Sequence, residues 1–219
     1  MRENFDCKLG ELNRKLLDMA AMTEQIIAMS IKSLVEQDEV LAKQTVEFDL
    51  KINEAEREVE RICLRLLLQY QPVFAEDLRK VSSVLKMITD MERIGDQAAD
   101  IASLNRALIA KKQKWELDDI AEMARAATCM VTQAIDAYVN NDEELANTVI
   151  KSDDKIDELF VKTKNKIIDE IAADKANGEK AIDTLMTAKY FERIGDHAVN
   201  IAEWVVFSIT GIHKAEKIM

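Results

Sequence analysis

The chain has 219 residues and a formal net charge of −11, with nearly half of its residues apolar and about a third charged. This is the composition of a globular protein and not of a disordered one. So negative a charge excludes the usual nucleic-acid-coating protein and opposes binding to anionic lipid, while it suits cations. One proline and five glycines, set against abundant Ala, Leu, Ile, Glu and Lys, predict helices. Cys7, Cys63 and Cys129 are scattered, with no CxxC pair, and read as buried or free thiols of a reducing compartment, not as a disulfide framework or a zinc site. The opening residues MRENFDCKLG hold no apolar signal core, and WVVFSITGI is too short to span a bilayer. The expected location is therefore cytoplasmic.

In chain order, the first helix is predicted from Glu3 to Val35, and a break follows at EQDEV with Asp38 as N-cap. The second helix runs to about Tyr70, its apolar stripe being Ile52, Ala55, Val59, Ile62 and Leu66. Gln71-Pro72 ends it, because proline cannot continue the hydrogen bonding. The third helix is predicted from about Glu76 to Ala110. At AKKQKWELDD the basic residues Lys111, Lys112 and Lys114 mark a joint, giving domains at 1–110 and 115–219. The second half repeats the plan: VNNDEELANTVIKSD echoes VEQDEVLAKQTVEFD at an offset of 104, and Ile156, Phe160, Thr163 and Ile167 form the stripe of the fifth helix. Asn177-Gly178 marks the turn to the last helix. The expected fold is all-α, two tandem pseudo-symmetric three-helix bundles made of six long antiparallel helices.

The third and sixth helices carry near copies of one segment, ERIGDQAADIA from Glu92 and ERIGDHAVNIA from Glu192, offset by 100 residues. In each, a glutamate falls on the core-facing stripe (Val81, Leu85, Ile88, Glu92, Gly95, Ala99, Ala102; Ala181, Leu185, Ala188, Glu192, Gly195, Val199, Ala202). A buried carboxylate requires a compensating cation or hydrogen bonds. Glu92, Asp96 and Asp100 form one row at four-residue steps, and Glu192, Asp196 and Asn200 the other. On the preceding helices Asp49 and Asn53 face the first row, and Asp153 and Asp157 the second. Oxygen-rich sites of this kind suit hard or borderline cations: Mg, Ca, Mn, Fe or Zn. Gly95 and Gly195 leave room for a neighbouring backbone or an ion. Arg93 and Arg193 offer the competing account, pairing with the carboxylates and leaving no place for metal. His197 stands five residues from Glu192, unlike the Glu-x-x-His of di-iron bundles, which disfavours a carboxylate-bridged oxidase or hydrolase. His213 reads as a surface residue, and Met19, Met22 and Met29 as core filling.

Taken together, QPVFAEDLRKVSSVLKMITDMERIGDQAADIA, VEFDLKIN, IKSDDKID and FERIGDHAVNIAEW resemble the PhoU family of bacterial phosphate-signalling regulators, over essentially the whole chain. The resemblance implies a cytoplasmic non-enzyme that restrains phosphate uptake and the phosphate-starvation response. Such a protein would act between the ATPase-driven phosphate ABC transporter and a sensor histidine kinase, often as a homodimer, and would meet the membrane only through those partners and no nucleic acid. Some family members hold multinuclear iron or zinc on E/D-x-x-x-D motifs. Those motifs fall here on Asp49, Glu92, Asp96, Asp100, Asp153, Asp157, Glu192 and Asp196, with Fe or Zn expected first and Mn, Mg or Ca still open. Asn53 and Asn200 stand where carboxylates would complete the pattern, so the two sites are chemically unequal. A metal-free helical scaffold is the alternative reading.

Overall fold

The computed structural model describes residues 2–69, 74–111, 118–214 and 216–217. Six helices account for nearly all of them: α1 (Arg2–Glu36), α2 (Glu39–Gln69), α3 (Ala75–Ala110), α4 (Asp118–Asn140), α5 (Glu143–Ala173) and α6 (Gly178–Thr210). A two-residue antiparallel strand pair, β1 (Ile212–His213) and β2 (Glu216–Lys217), follows α6. The predicted end of α2 at Tyr70, the Gln71-Pro72 break, Lys112, Lys114 and Trp115 lie outside the described residues.

The two helix–helix corners are built alike because their sequences are alike. Gln37 and Asn141 both take a left-handed backbone, with φ of 53° and 50°. The next residue then closes the preceding helix: Asp38 N–H donates to Ser33 O at 3.1 Å, and Asp142 N–H to Ala137 O at 2.9 Å. Each aspartate also caps the following helix. Asp38 Oδ1 accepts from Val40 and Leu41 N–H, and Asp142 Oδ1 from Leu145 N–H. The third corner falls where Asn177-Gly178 predicts it and is built differently from the other two. The chain turns at Asp174 and a short 3-10 turn over Lys175–Asn177, and Gly178 opens α6 with an ordinary helical φ of −56°. Asp174, which accepts from Ala176 N–H, makes the turn that Asn177-Gly178 had signalled.

Burial follows the three-and-four spacing. On α2 the buried side chains include Ile52, Val59, Ile62 and Leu66, and on α5 Ile156, Leu159, Thr163 and Ile167, with Phe160 half-buried beside them. α1 packs on α2 and α3, and α4 on α5 and α6, which gives the two three-helix bundles. α3 and α6 then pack against each other, so that α2, α3, α6 and α5 form a row, with α1 and α4 touching behind it. Across the row, Asp90 meets Asn200, Asp100 meets Tyr190 and Lys111 meets Glu179. Each step up α3 is matched by a step down α6, so the two helices run antiparallel and their repeated segments cross at the centre of the molecule.

Asn105 on α3 donates to Ser33 O of α1 at 2.7 Å. Asp96 lies nine residues away, two and a half turns, and therefore on the opposite side of α3 from α1. The carboxylate rows thus look out from the open face of the row. Lys111 ties the far end of α3 to α6, 2.6 Å from Glu179 and 3.9 Å from Asp183. At the C-terminal end His213 is not the surface residue expected. Its ring lies 3.8 Å from that of Trp204, which also packs edge-on against Phe207.

Candidate metal site

Where α2 crosses α3, Asp49 points at the small hole left by Gly95. A Cβ there would come within 2.9 Å of Asp49 Oδ1 and 3.0 Å of Ile52 Cδ1. Glycine at this position therefore lets a carboxylate enter the helix crossing, although it costs about 1 kcal/mol relative to alanine in a helix interior. Asp49 Oδ2 accepts from Asn53 Nδ2 at 3.1 Å, while Asp49 Oδ1 is buried with no donor among the described residues. Burial first, and Asp96, Glu92 and Asp100 after it, push the Asp49 carboxyl up to about 6. Burial and Asp96 likewise raise Glu92, against Arg93 and His197, which lower it. Asp100 is raised by burial in spite of the hydrogen bond from Tyr190. The structure thus brings Asp49, Glu92, Asp96 and Asp100 into one electrostatic cluster, as the spacing required. It adds Glu56, raised by burial and then by Glu92. Glu56 lies seven residues, two turns, beyond Asp49, so its place on the same row could have been read from the sequence.

The second cluster is the pseudo-symmetric counterpart. Asp153 Oδ1 is also buried without a donor among the described residues. Burial, then Asp196, Asp157 and Glu192, push Asp153 up to about 6. Asp196 stands at the solvent-exposed rim, and its carboxyl is raised by partial burial and then by Glu192. Gly195 meets Ile156 here, at 3.1 Å from a built Cβ to Cδ1, and not a carboxylate. Glu192 is buried and held by Lys189 Nζ on the same helix.

The arginines account for only part of this negative charge. Arg93 Nη1 lies 3.3 Å from Asp96 Oδ2 and its Nε 3.5 Å from Glu92 Oε2. Arg193 reaches across the junction, lowering Asp100. No arginine is among the groups that set Asp49 or Asp153. Two acceptor-only oxygens, each buried, donorless and facing further carboxylates, fit a cation. Among the described residues no three His, Cys, Asp or Glu side chains are gathered into a ready coordination shell. Binding would therefore require the outer carboxylates to rotate inward.

Between the clusters lies a polar junction that the sequence reading missed. Asp90 Oδ1 receives His197 Nδ1 at 2.9 Å and Asn200 Nδ2 at 3.1 Å, α3 to α6. Its mirror is Tyr190 with Asp100. Asn200, the amide that stands in place of a third carboxylate in the second row, thus bonds one bundle to the other. No local spacing signals Asp90; only the docking of α3 on α6 gives it partners.

Comparison with known proteins bears on the whole chain. The family description PhoU domain matches residues 16–104 and 120–205. The chain is 34% identical over 210 residues, 96% of each chain, to the phosphate-specific transport system accessory protein PhoU homolog of Clostridium acetobutylicum. It is 31% identical over 214 residues, 97% of this chain and 92% of the relative, to PhoU homolog 1 of Thermotoga maritima. The crystal structure of PhoU from Pseudomonas aeruginosa matches with a TM-score of 0.91 at 30% identity, over 95% of this chain and 100% of that one. The phosphate transport system regulatory protein PhoU from Streptococcus pneumoniae matches with 0.87 at 25% identity, over 95% and 98%. With two family matches spread over both bundles and relatives above 30% identity along nearly the full length, the chain belongs to the PhoU family.

Proposed function

We propose that this protein works in a phosphate transport system as a cytoplasmic, non-catalytic negative regulator of phosphate uptake and of the phosphate-starvation response. It acts by contact with the transporter ATPase and a sensor histidine kinase, as a homodimer, and holds metal ions on the carboxylates of each bundle. The support for the transport role is the set of relatives, described as phosphate-specific transport accessory and regulatory proteins. No described helix is long and apolar enough to cross a membrane, and in this reading the protein meets the membrane only through its partners.

The observation that carries the metal part is the pair of donorless, buried oxygens on Asp49 and Asp153. Asp49, Glu92, Asp96 and Asp100 would hold ions in the first bundle, and Asp153, Asp157, Glu192 and Asp196 in the second. Fe or Zn comes first, with Mn, Mg or Ca compatible with an oxygen donor set. A bound cation would neutralise carboxylates that otherwise repel one another across each helix pair. Elemental analysis of protein purified without chelator or histidine tag tests this, beside an Asp96→Asn/Asp196→Asn variant. Several equivalents of metal per chain, lost in the variant, are expected; a folded wild type without metal sinks the metal part. The metal-free scaffold reading has its own support in Arg93 and Lys189, which already neutralise part of each cluster. The regulatory part is tested by deletion in the native host: a starvation reporter should switch on in ample phosphate, and an unchanged reporter rejects the reading. Turnover of a phosphoester or of oxygen by the metal-loaded protein would overturn its non-catalytic character.

A further inference from the structure

The pseudo-symmetry of the two bundles supplies an internal control for surface positions, and the exposed apolar residues differ between them: α2 exposes Leu50, Leu64 and Leu68, and the second bundle a group that spans two helices. On the open face of α5–α6, Val161 is 47% exposed, Ile168 55%, Ile182 58% and Met186 38%. The register of this helix pair is fixed by Ile156 against Gly195 and by Phe160 beside Lys189. Continued toward the Asp174 turn, that antiparallel register brings Ile168 beside Ile182. Ile182, Met186, Lys189, Arg193 and Asp196 fall at three- and four-residue steps on α6, so the apolar group continues the stripe that bears the carboxylate rim. At the equivalent places of α2 and α3 stand Arg57, Leu64, Ser82 and Lys86. Three of the four apolar residues thus have no apolar counterpart. Apolar side chains exposed singly need no explanation, but a group contributed by two neighbouring helices does.

We infer that this α5–α6 patch docks a basic amphipathic helix of a partner protein, its apolar ridge against Val161, Ile168, Ile182 and Met186 and its cations toward Asp154 and Glu158. The choice of occupant rests on charge. Asp154 and Glu158 are exposed on α5 beside the patch, with Asp157 and Asp196 next along the face. The cations of this face are Lys164, between Val161 and Ile168 on α5, with Lys189, engaged by Glu192, and Arg193 on α6, against the four carboxylates Asp154, Asp157, Glu158 and Asp196. A second copy bringing the same face would set these carboxylates against themselves, and an anionic lipid surface would be repelled by them. A helix with basic flanks satisfies both halves of the surface. The inference deepens the proposal above and rests on it for the existence of a contacted partner.

The probe is a fluorescent peptide of about 18 residues built from Ala, Leu and Lys with the leucines along one helical face, beside a scrambled peptide of the same composition. The protein should bind the faced peptide and not the scrambled one. Ile182→Ser with Met186→Lys installs residue types already carried by the first bundle, and should weaken binding at least about tenfold with circular dichroism unchanged. Asp154→Asn with Glu158→Gln, a second variant on exposed positions, should weaken binding and flatten its salt dependence. Equal affinity for both peptides, or for wild type and either variant, overturns the inference. So does a dimer converted to monomer by Ile182→Ser/Met186→Lys in sedimentation, which would give the patch to a second copy. So does loss in that variant of binding to phosphatidylserine vesicles, which would give it to a membrane. A metal-free protein that binds the peptide sinks the metal reading alone, and a metal-loaded protein that ignores the peptide sinks only this surface.

Discussion

The two bundles use the same backbone plan to solve one problem, a carboxylate at a helix crossing, with different neighbours. In the first, Gly95 admits Asp49 itself, Asn53 donates to it, and Arg93 touches Glu92 and Asp96 from outside. In the second, Gly195 admits Ile156, Lys189 engages Glu192, and Phe160 stands where the first bundle has Glu56. Lys189 also lies over the Phe160 ring, 5.3 Å from its centroid. The first cluster is therefore richer in carboxylates, and each carries a cation of its own helix, Arg93 at the exposed side of the first and Lys189 against the buried Glu192 of the second. What they share is a buried aspartate oxygen, on Asp49 and on Asp153, with no donor among the described residues. Pseudo-symmetry has preserved the part of the site that local hydrogen bonding does not satisfy and let the rest diverge.

Core truncation should give the largest effect. Met91 and Phe191 are equivalent and nearly fully buried. Phe191→Ala should cost about 3–5 kcal/mol and Met91→Ala about 2–5, read by urea unfolding of chelator-treated protein. A loss below about 1 kcal/mol at either position would mean that the centre of the row collapses around the cavity. Next comes pH. The folded values near 6 for Asp49 and Asp153 lie above the ordinary 3.8. The folded state then binds the extra protons, so this stability is present below about pH 4 and is lost as pH rises through about 6. Metal-stripped protein should melt higher at about pH 5 than at about pH 7.5, and Asp49→Asn and Asp153→Asn should each flatten that slope. A profile that rises with pH after stripping would contradict the burial of both groups.

The glycines should separate the bundles most directly. Alanine gains about 1 kcal/mol of helix propensity at either site, but overpacking costs about 1–3. At Gly95 the obstacle is Asp49 Oδ1 at 2.9 Å, nearer than Ile156 at 3.1 Å from Gly195. Gly95→Ala is expected to lower the thermal midpoint and to reduce metal uptake in its bundle, with Gly195→Ala near neutral. Equal effects would remove this difference between the crossings. The smallest effect is a control on the symmetry: Asp38→Ala and Asp142→Ala should each cost about 1 kcal/mol, because both caps close the same turn. A clear inequality would show that one corner is supported by contacts beyond its cap.

Sequence alone determined the helices, their corners and the rows of carboxylates, because these depend on spacing along one chain. Three-and-four periodicity fixes a helix face, an aspartate after a left-handed residue fixes a corner, and four-residue steps fix a row. The offset repeat also told that whatever one half builds, the other builds again. Two residues have partners that the sequence did not reveal, and for one of them, His213, the local reading failed. Asn200, in place of a third carboxylate, finds Asp90 opposite it, and His213 looked like surface until the chain after α6 folded back onto Trp204. The docking of α3 on α6 decided which carboxylates are shielded, which are claimed by Tyr190 or His197, and which remain without a donor. Those outcomes depend on burial and on groups about a hundred residues away, which periodicity along one helix does not encode.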